Sequence, residues 1–195
     1  MQFELREIQN RIGTTVVYVT HDQEEALVLA DRIAVMKDGG LEQVGAPEVI
    51  YHNPGNGFVA AFIGESNRVR VNLTDSGEYL SAADPLLALR VPGSDLTSGV
   101  FVVRPEDVNV TVNQDVIPSQ HLTYEATVED LVFVGDHVRV KVRLHGATTW
   151  VAKIGFFDPE LASIRNATSR GEGVWVHWAI DRGRVLRDDS IGGAE

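Results

Sequence analysis

The stretch TTVVYVTHDQEEALVLADRIAVM, residues 14–36, decides how the first third of this chain is read. Thr14 to Thr20 is an unbroken β-branched and aromatic run, the composition of a strand buried on both faces of a parallel sheet. His21 and Asp22 stand where that strand stops. Asp22 suits a helix N-cap, Glu25 three residues later completes a capping box, and Ala26, Leu27 and Ala30 supply the buried stripe of the helix that follows. The local order is strand, turn, helix, so His21 falls at the carboxy end of a parallel strand, where open α/β sheets place ligand-contacting groups.

Working outward, Phe3, Leu5, Ile8 and Ile12 recur at helical spacing, which predicts an amphipathic helix over Met1 to Arg11, ended by Gly13. Downstream, Ile33 to Met36 and Leu41 to Val44 flank Lys37-Asp38-Gly39-Gly40, a hairpin signal. Pro47 opens a helix to about His52 that Asn53-Pro54 breaks, and Phe58, Val59, Phe62 and Ile63 mark another that Gly64 can cap. After Gly64 the character changes. Short alternating segments follow at Val69 to Leu73, Tyr79 to Ala82, Leu86 to Val91, Val100 to Arg104, Val108 to Val112, Tyr124 to Val134, His137 to Leu144, Thr148 to Ile154, Val174 to Ile180 and Arg184 to Arg187. Turns fall between them, including Gly135-Asp136 and His145-Gly146, and Ile191 to Glu195 reads as a frayed end. Many short strands at even spacing predict a small barrel or sandwich, with a domain boundary near Glu65.

Composition narrows the function. Seventeen Lys and Arg against 28 Asp and Glu give a net charge of −11, a field that repels phosphate backbones and anionic lipid headgroups. Absence of cysteine excludes disulfides and thiolate metal sites. No apolar run is long enough to span a bilayer and no hydrophobic signal region is visible, so a cytoplasmic chain is expected.

The run from Val17 to Asn67 contains THDQEEA, LADRIAVM, a G-x-LEQVG-x-P hairpin, YHNP and FVAAFIGESN. In this order and spacing it resembles the segment of ABC importer ATPases that begins at the switch histidine and ends at the domain junction, most nearly in the sugar, polyamine and ferric-ion importers. VRPEDV (Val103 to Val108), VEDLVFVGDHVRVKVRL (Val128 to Leu144) and VWVHWAIDRGRVLRD (Val174 to Asp188) resemble the family's transport-associated OB-type (TOBE) domain. The resemblance implies an α/β remnant of a P-loop ATPase core over residues 1–64, followed by an all-β OB-like barrel domain over residues 65–195. It also implies a role for His21 as the catalytic and ATP-contacting residue, bonding the γ-phosphate and the attacking water in a completed subunit. ATP and Mg would be bound in that complete subunit, and the partners would be a second ATPase subunit in a homodimer and the transmembrane permeases. That would hold the chain at the inner face of the membrane without inserting it.

No G-x-x-x-x-G-K-[ST] loop, LSGGQ-type signature or magnesium-holding acidic strand end occurs in these 195 residues. The expectation is therefore a truncated ATPase portion, inactive alone.

Each candidate residue also has a plainer reading. His21 could simply cap a strand end. Asp22 is first a helix cap and by resemblance a residue near the dimer interface; Gln23 is a weaker candidate still. Glu24 and Glu25 point in different directions on a helix and suit its first turn electrostatically. His52, His121, His137, His145 and His177 lack metal-ligand spacing. Of the strand tryptophans, Trp175 and Trp178 fall on opposite faces, one in the core and one half exposed. Arg139, Lys141 and Arg143 alternate on one strand face, as a nucleic-acid-binding OB domain would need, but Glu129, Asp130 and Asp136 are close by and favour a solvated face. A stand-alone OB-type regulatory or small-ligand-binding domain is the alternative.

Overall fold

A computed structural model describes residues 2–144 and 148–188, without the side chains of residues 2, 3, 9 and 10. The predicted place of Phe3 in a helix stripe, the His145-Gly146 turn and the frayed end at Ile191 to Glu195 lie outside the described residues. The chain forms two compact units, one running up to Gly64 and one spanning Glu65–Asp188.

The first unit is built from α1 (Gln2–Ile12), α2 (Gln23–Leu29), the strands β1 (Ile33–Lys37) and β2 (Gly40–Gly45), α3 (Pro47–His52) and α4 (Gly57–Phe62). Strands β1 and β2 pair antiparallel. The turn between them runs through Asp38 at φ 49° and Gly39 at φ 79°, two consecutive left-handed residues that suit the twist of a tight hairpin. Pro47 begins α3 and Glu48 lies in its first turn. The Asn56 side chain accepts the Val59 N–H at 2.9 Å to cap α4. Ile33, Val35, Ile50, Val59 and Ile63 form the core of this unit, packed against Ala26, Leu27, Tyr51 and Phe58.

Two expectations for this unit need correction. Thr14 to Thr20 forms no strand, and among the described residues the unit contains no parallel pair. Val17 and Val19 are 87% and 88% exposed. The run keeps its extended composition, but a strand buried on both faces needs neighbours on both sides, and this unit offers it none. Among the described residues the first unit consists of helices and one antiparallel hairpin, in place of the expected α/β arrangement. The stripe on α1 is likewise uncovered, with Leu5, Ile8 and Ile12 exposed; Arg6 ties the helix down by donating to the Val28 carbonyl at 2.9 Å.

The second unit holds two five-stranded antiparallel sheets. One has the order β12-β6-β3-β4-β5 and the other β10-β9-β8-β11-β7. Their ranges are β3 (Asn67–Leu73), β4 (Tyr79–Ser81), β5 (Ala88–Leu89), β6 (Ser98–Val103), β7 (Asn109–Thr111), β8 (His121–Phe133), β9 (His137–Leu144), β10 (Thr149–Gly155), β11 (Val174–Ala179) and β12 (Arg184–Leu186). This mostly β architecture is consistent with an OB-like barrel. Alternation along β9 puts Val138, Val140, Val142 and Leu144 inward and Arg139, Lys141 and Arg143 outward. The inward faces meet on a cluster of Phe101, Trp150 and Trp178, with the two indoles 4.7 Å apart between ring centroids. Trp178 is buried while Trp175 is partly exposed, as the strand alternation predicted.

Side-chain and loop bonds meet three of the polar groups on the edge of β10. The buried Asn67 accepts the Val151 N–H at 2.7 Å and donates to the Val151 carbonyl at 2.8 Å, and Lys153 N–H donates to the Pro105 carbonyl at 2.9 Å. The amide of Asn67 thus imitates one residue of a neighbouring strand.

The unit is not all β. Helix α5 (Glu160–Arg170) buries Leu161, Ile164 and Ala167 against the sheet core and ends on Gly171 in the left-handed region at φ 68°. Glu160 accepts the Thr111 hydroxyl at 2.9 Å, fixing the helix start beside β7.

Candidate functional site

His21 lies at an exposed bend between the extended run and α2. Its neighbours are ordered by a short polar relay. The Asp22 carboxylate accepts the Glu24 and Glu25 N–H groups at 2.9 and 3.1 Å, so Asp22 is the N-cap. Glu25 does not reach back to the Asp22 N–H as a capping box would have it. The Thr20 hydroxyl accepts that N–H at 2.9 Å, while Glu25 accepts the Thr20 and Tyr18 hydroxyls at 2.9 and 3.2 Å. The nearby Glu25 carboxylate pushes the Tyr18 phenol pKa up, first by that hydrogen bond and then by its charge. Gln23 accepts the Gly64 N–H at 2.8 Å, tying the start of α2 to the end of the unit. Asp22, Gln23 and Glu25 are therefore committed to shaping the turn, and the imidazole of His21 is left facing outward, where it can donate to or accept from a group brought by another molecule.

The basic face of β9 is neutralised. A bulge in β8 between Val128 and Asp130 makes Glu129 the extra residue, and its carboxylate binds Lys141 at 3.1 Å and also Arg143. Those two cations hold the Glu129 carboxyl below the usual range. Arg139 pairs with Glu65, which Lys153 also approaches at 3.7 Å. The surface a single strand of nucleic acid would require, free cations interleaved with exposed rings, is not formed here.

Among the described residues no three His, Cys, Asp or Glu side chains converge where a metal ion could sit. The histidines do make one pairing that the sequence reading did not find. His121 on β8 and His177 on β11 bring their Nδ1 atoms to 2.8 Å, with ring centroids 5.0 Å apart. The Nδ1 separation is the length of one shared N–H···N bond, in which one ring donates and the other accepts. Burial, and then the charge of His121, push the His177 pKa down to about 4.

Residues 101–186 match the family model of the TOBE domain. Over 186 aligned residues, 91% of this chain, the sequence is 37% identical to the spermidine/putrescine import ATP-binding protein PotA of Lawsonia intracellularis (strain PHE/MN1-00). The chain carries a TOBE domain and is homologous to the ATP-binding subunits of ABC importers, which bears out the resemblance carried by Val17 to Asn67. It spans about half the length of that curated relative, 49% of it. A solved structure of the cytoplasmic molybdate-binding protein ModG with molybdate bound is also similar, at 14% identity and a TM-score of 0.47, covering 63% of this chain and 95% of that one. No helix among the described residues is long and apolar enough to cross a membrane.

Proposed function

We propose that this chain is part of the ATP-binding subunit of an ABC-type solute importer, which couples ATP hydrolysis to transport through membrane permeases. The observation that carries the reading is the 37% identity to an import ATP-binding protein along 91% of the chain. In a completed subunit His21 is the catalytic residue: its imidazole bonds the γ-phosphate and the attacking water, and residues of another segment supply the acidic base and hold Mg. Its outward position at the bend before α2 supports this role. The uncovered side chains of Val16, Val17, Tyr18 and Val19, all more than half exposed, support completion of the first unit by further polypeptide. Two such subunits would sandwich ATP, and permeases would hold the pair at the cytoplasmic face of the membrane.

Alone, the 195 residues are expected neither to bind ATP tightly nor to hydrolyse it, because they contain no phosphate-cradling loop. Isothermal calorimetry on the purified chain tests this; micromolar ATP binding would overturn it. A second reading, a free-standing regulatory or small-ligand-binding β-domain, is favoured by one feature: Glu65–Asp188 is a compact unit with a continuous core of its own. Failure to fold when residues 65–188 are expressed by themselves would rule that reading out.

A further inference from the structure

Exposed apolar residues fall at one end of the β8–β9 hairpin and just beyond β10, and three of them are aromatic. Val132, Phe133 and Val134 are 47%, 57% and 48% exposed, and Phe156 and Phe157, just beyond β10, are 39% and 94% exposed. Their rings form one cluster. Phe133 and Phe156 lie 4.9 Å apart between centroids, and Phe156 and Phe157 lie 5.3 Å apart, edge to face. Backbone bonds fix the turns that carry them: Phe156 N–H donates to the Asp136 carbonyl at 3.1 Å, Val134 N–H to the His137 carbonyl at 2.9 Å and Asp158 N–H to the Gly155 carbonyl at 3.0 Å. Rings held open to water on fixed turns have not found a place in the core, which is the mark of an interaction surface.

Charge decides what that surface fits. Residues 131–138 and 154–160 include Asp136, Asp158 and Glu160 but no Lys or Arg. The Asp136 side chain is 90% exposed, and His137 bonds it at 2.8 Å, which holds its carboxyl below the usual range and so ionised. Asp158 is exposed as well and accepts the Glu160 N–H at the start of α5. On the neighbouring strands, Arg139 is taken up by Glu65, and Lys153 lies between Glu65 and Glu106. A second copy of the chain would set these carboxylates against their own kind on a molecule of net charge −11, which opposes self-pairing.

The geometry points to a docking surface for a partner polypeptide that presents an apolar side chain flanked by Lys or Arg. The apolar side chain seats on Phe133 and Phe156. One flanking cation lies over the open face of Phe157, where the ring quadrupole attracts it, and the others meet Asp136 and Asp158. This surface uses no residue of the ATPase reading, so either can fail without the other.

The test is a titration of the full chain with a fluorescein-labelled synthetic peptide that alternates Lys with Leu and Phe, and with its Glu-for-Lys counterpart, followed by fluorescence anisotropy at physiological salt. The Lys peptide is expected to bind at least about tenfold more tightly than the Glu peptide, and Phe157→Ala to weaken it by about tenfold. Phe157 is almost fully exposed, so its removal leaves the core intact, which circular dichroism checks. The pair Asp136→Asn and Asp158→Asn should weaken binding, whereas Asp75→Asn with Asp95→Asn, an equal change of charge on exposed residues away from the cluster in sequence, should not. Equal affinity for the two peptides, an unaffected Phe157→Ala variant, or equal losses from both charge pairs would each overturn the proposal. So would concentration-dependent dimerisation in sedimentation that Phe157→Ala abolishes, since the occupant would then be a second copy.

Discussion

Lowering the pH should unlock the histidine pair across β8 and β11, and the direction follows from linkage. His177 is held neutral in the fold, its pKa lowered from 6.5 to about 4. Between these two values the unfolded chain takes up a proton that the folded chain refuses, so stability falls as pH falls from about 6.5 to about 4 and is insensitive to this group outside that window. Each pK unit corresponds to 1.36 kcal/mol, so the full effect is at most about 3 kcal/mol. That is a large share of a domain's stability. Its causes are the burial of His177 first and then the His121 imidazole, whose Nδ1 lies 2.8 Å away. The assay is urea unfolding followed by tryptophan fluorescence at several values between about pH 7.5 and about pH 4.5. Trp150, Trp175 and Trp178 all lie in the second unit, so the signal reports that unit alone. His177→Gln removes the titration while leaving the carboxylates unchanged, and the difference between the two pH profiles isolates the pair. Profiles that fall in parallel, with a constant gap between wild type and His177→Gln, would refute the reasoning.

In a completed ATPase subunit, His21→Ala should lower turnover on the order of a hundredfold or more while ATP binding survives, because the lost contact is to charge developing in the transition state; unchanged hydrolysis sinks the assignment. Gly183→Ala should destabilise the second unit by about 1–3 kcal/mol, the usual cost of overpacking. A Cβ at Gly183 would run into the Phe101 ring and come within 3.4 Å of the Trp178 indole nitrogen, so an unchanged urea midpoint would contradict the packing described. Limited proteolysis should remove the amino-terminal residues first and leave a β-rich fragment beginning near Glu65, since Thr14 to Val19 is exposed and unpaired in any ladder. Survival of the amino-terminal unit with digestion of the sheets would be the contrary result, read by mass spectrometry.

Local pattern carried much of this structure and failed where a neighbour had to supply the environment. The His137–Leu144 strand was legible because its alternation is unbroken and one face is wholly buried. Thr14–Thr20 has an equally strong composition, yet composition cannot supply the flanking strands that would make it a strand. Helix α5 was overlooked for the opposite reason: Ser163, Asn166, Thr168 and Ser169 are weak helix formers, and the helix depends on Leu161, Ile164 and Ala167 meeting the sheet core. At the candidate site, Asp22 as a cap was readable from its place before an apolar run. The bonds from Tyr18 and Thr20 to Glu25 were not, because they depend on how the chain turns at His21. The histidine pair lies 56 residues apart and becomes visible only once β8 and β11 are in register.

Asn67 and Val151 are 84 residues apart in sequence, and that separation has a consequence in time. During synthesis at about 5–20 residues per second, Val151 is made roughly 4–17 s after Asn67. Strand β3 can meet β4 and β6 within that interval, but the buried amide of Asn67 has to wait in water for the β10 backbone. These two bonds therefore cannot close until residue 151 has been made, and a ribosome pause before it would hold a strand β3 already laddered to β4 and β6 whose Asn67 amide still has an unmet donor and acceptor.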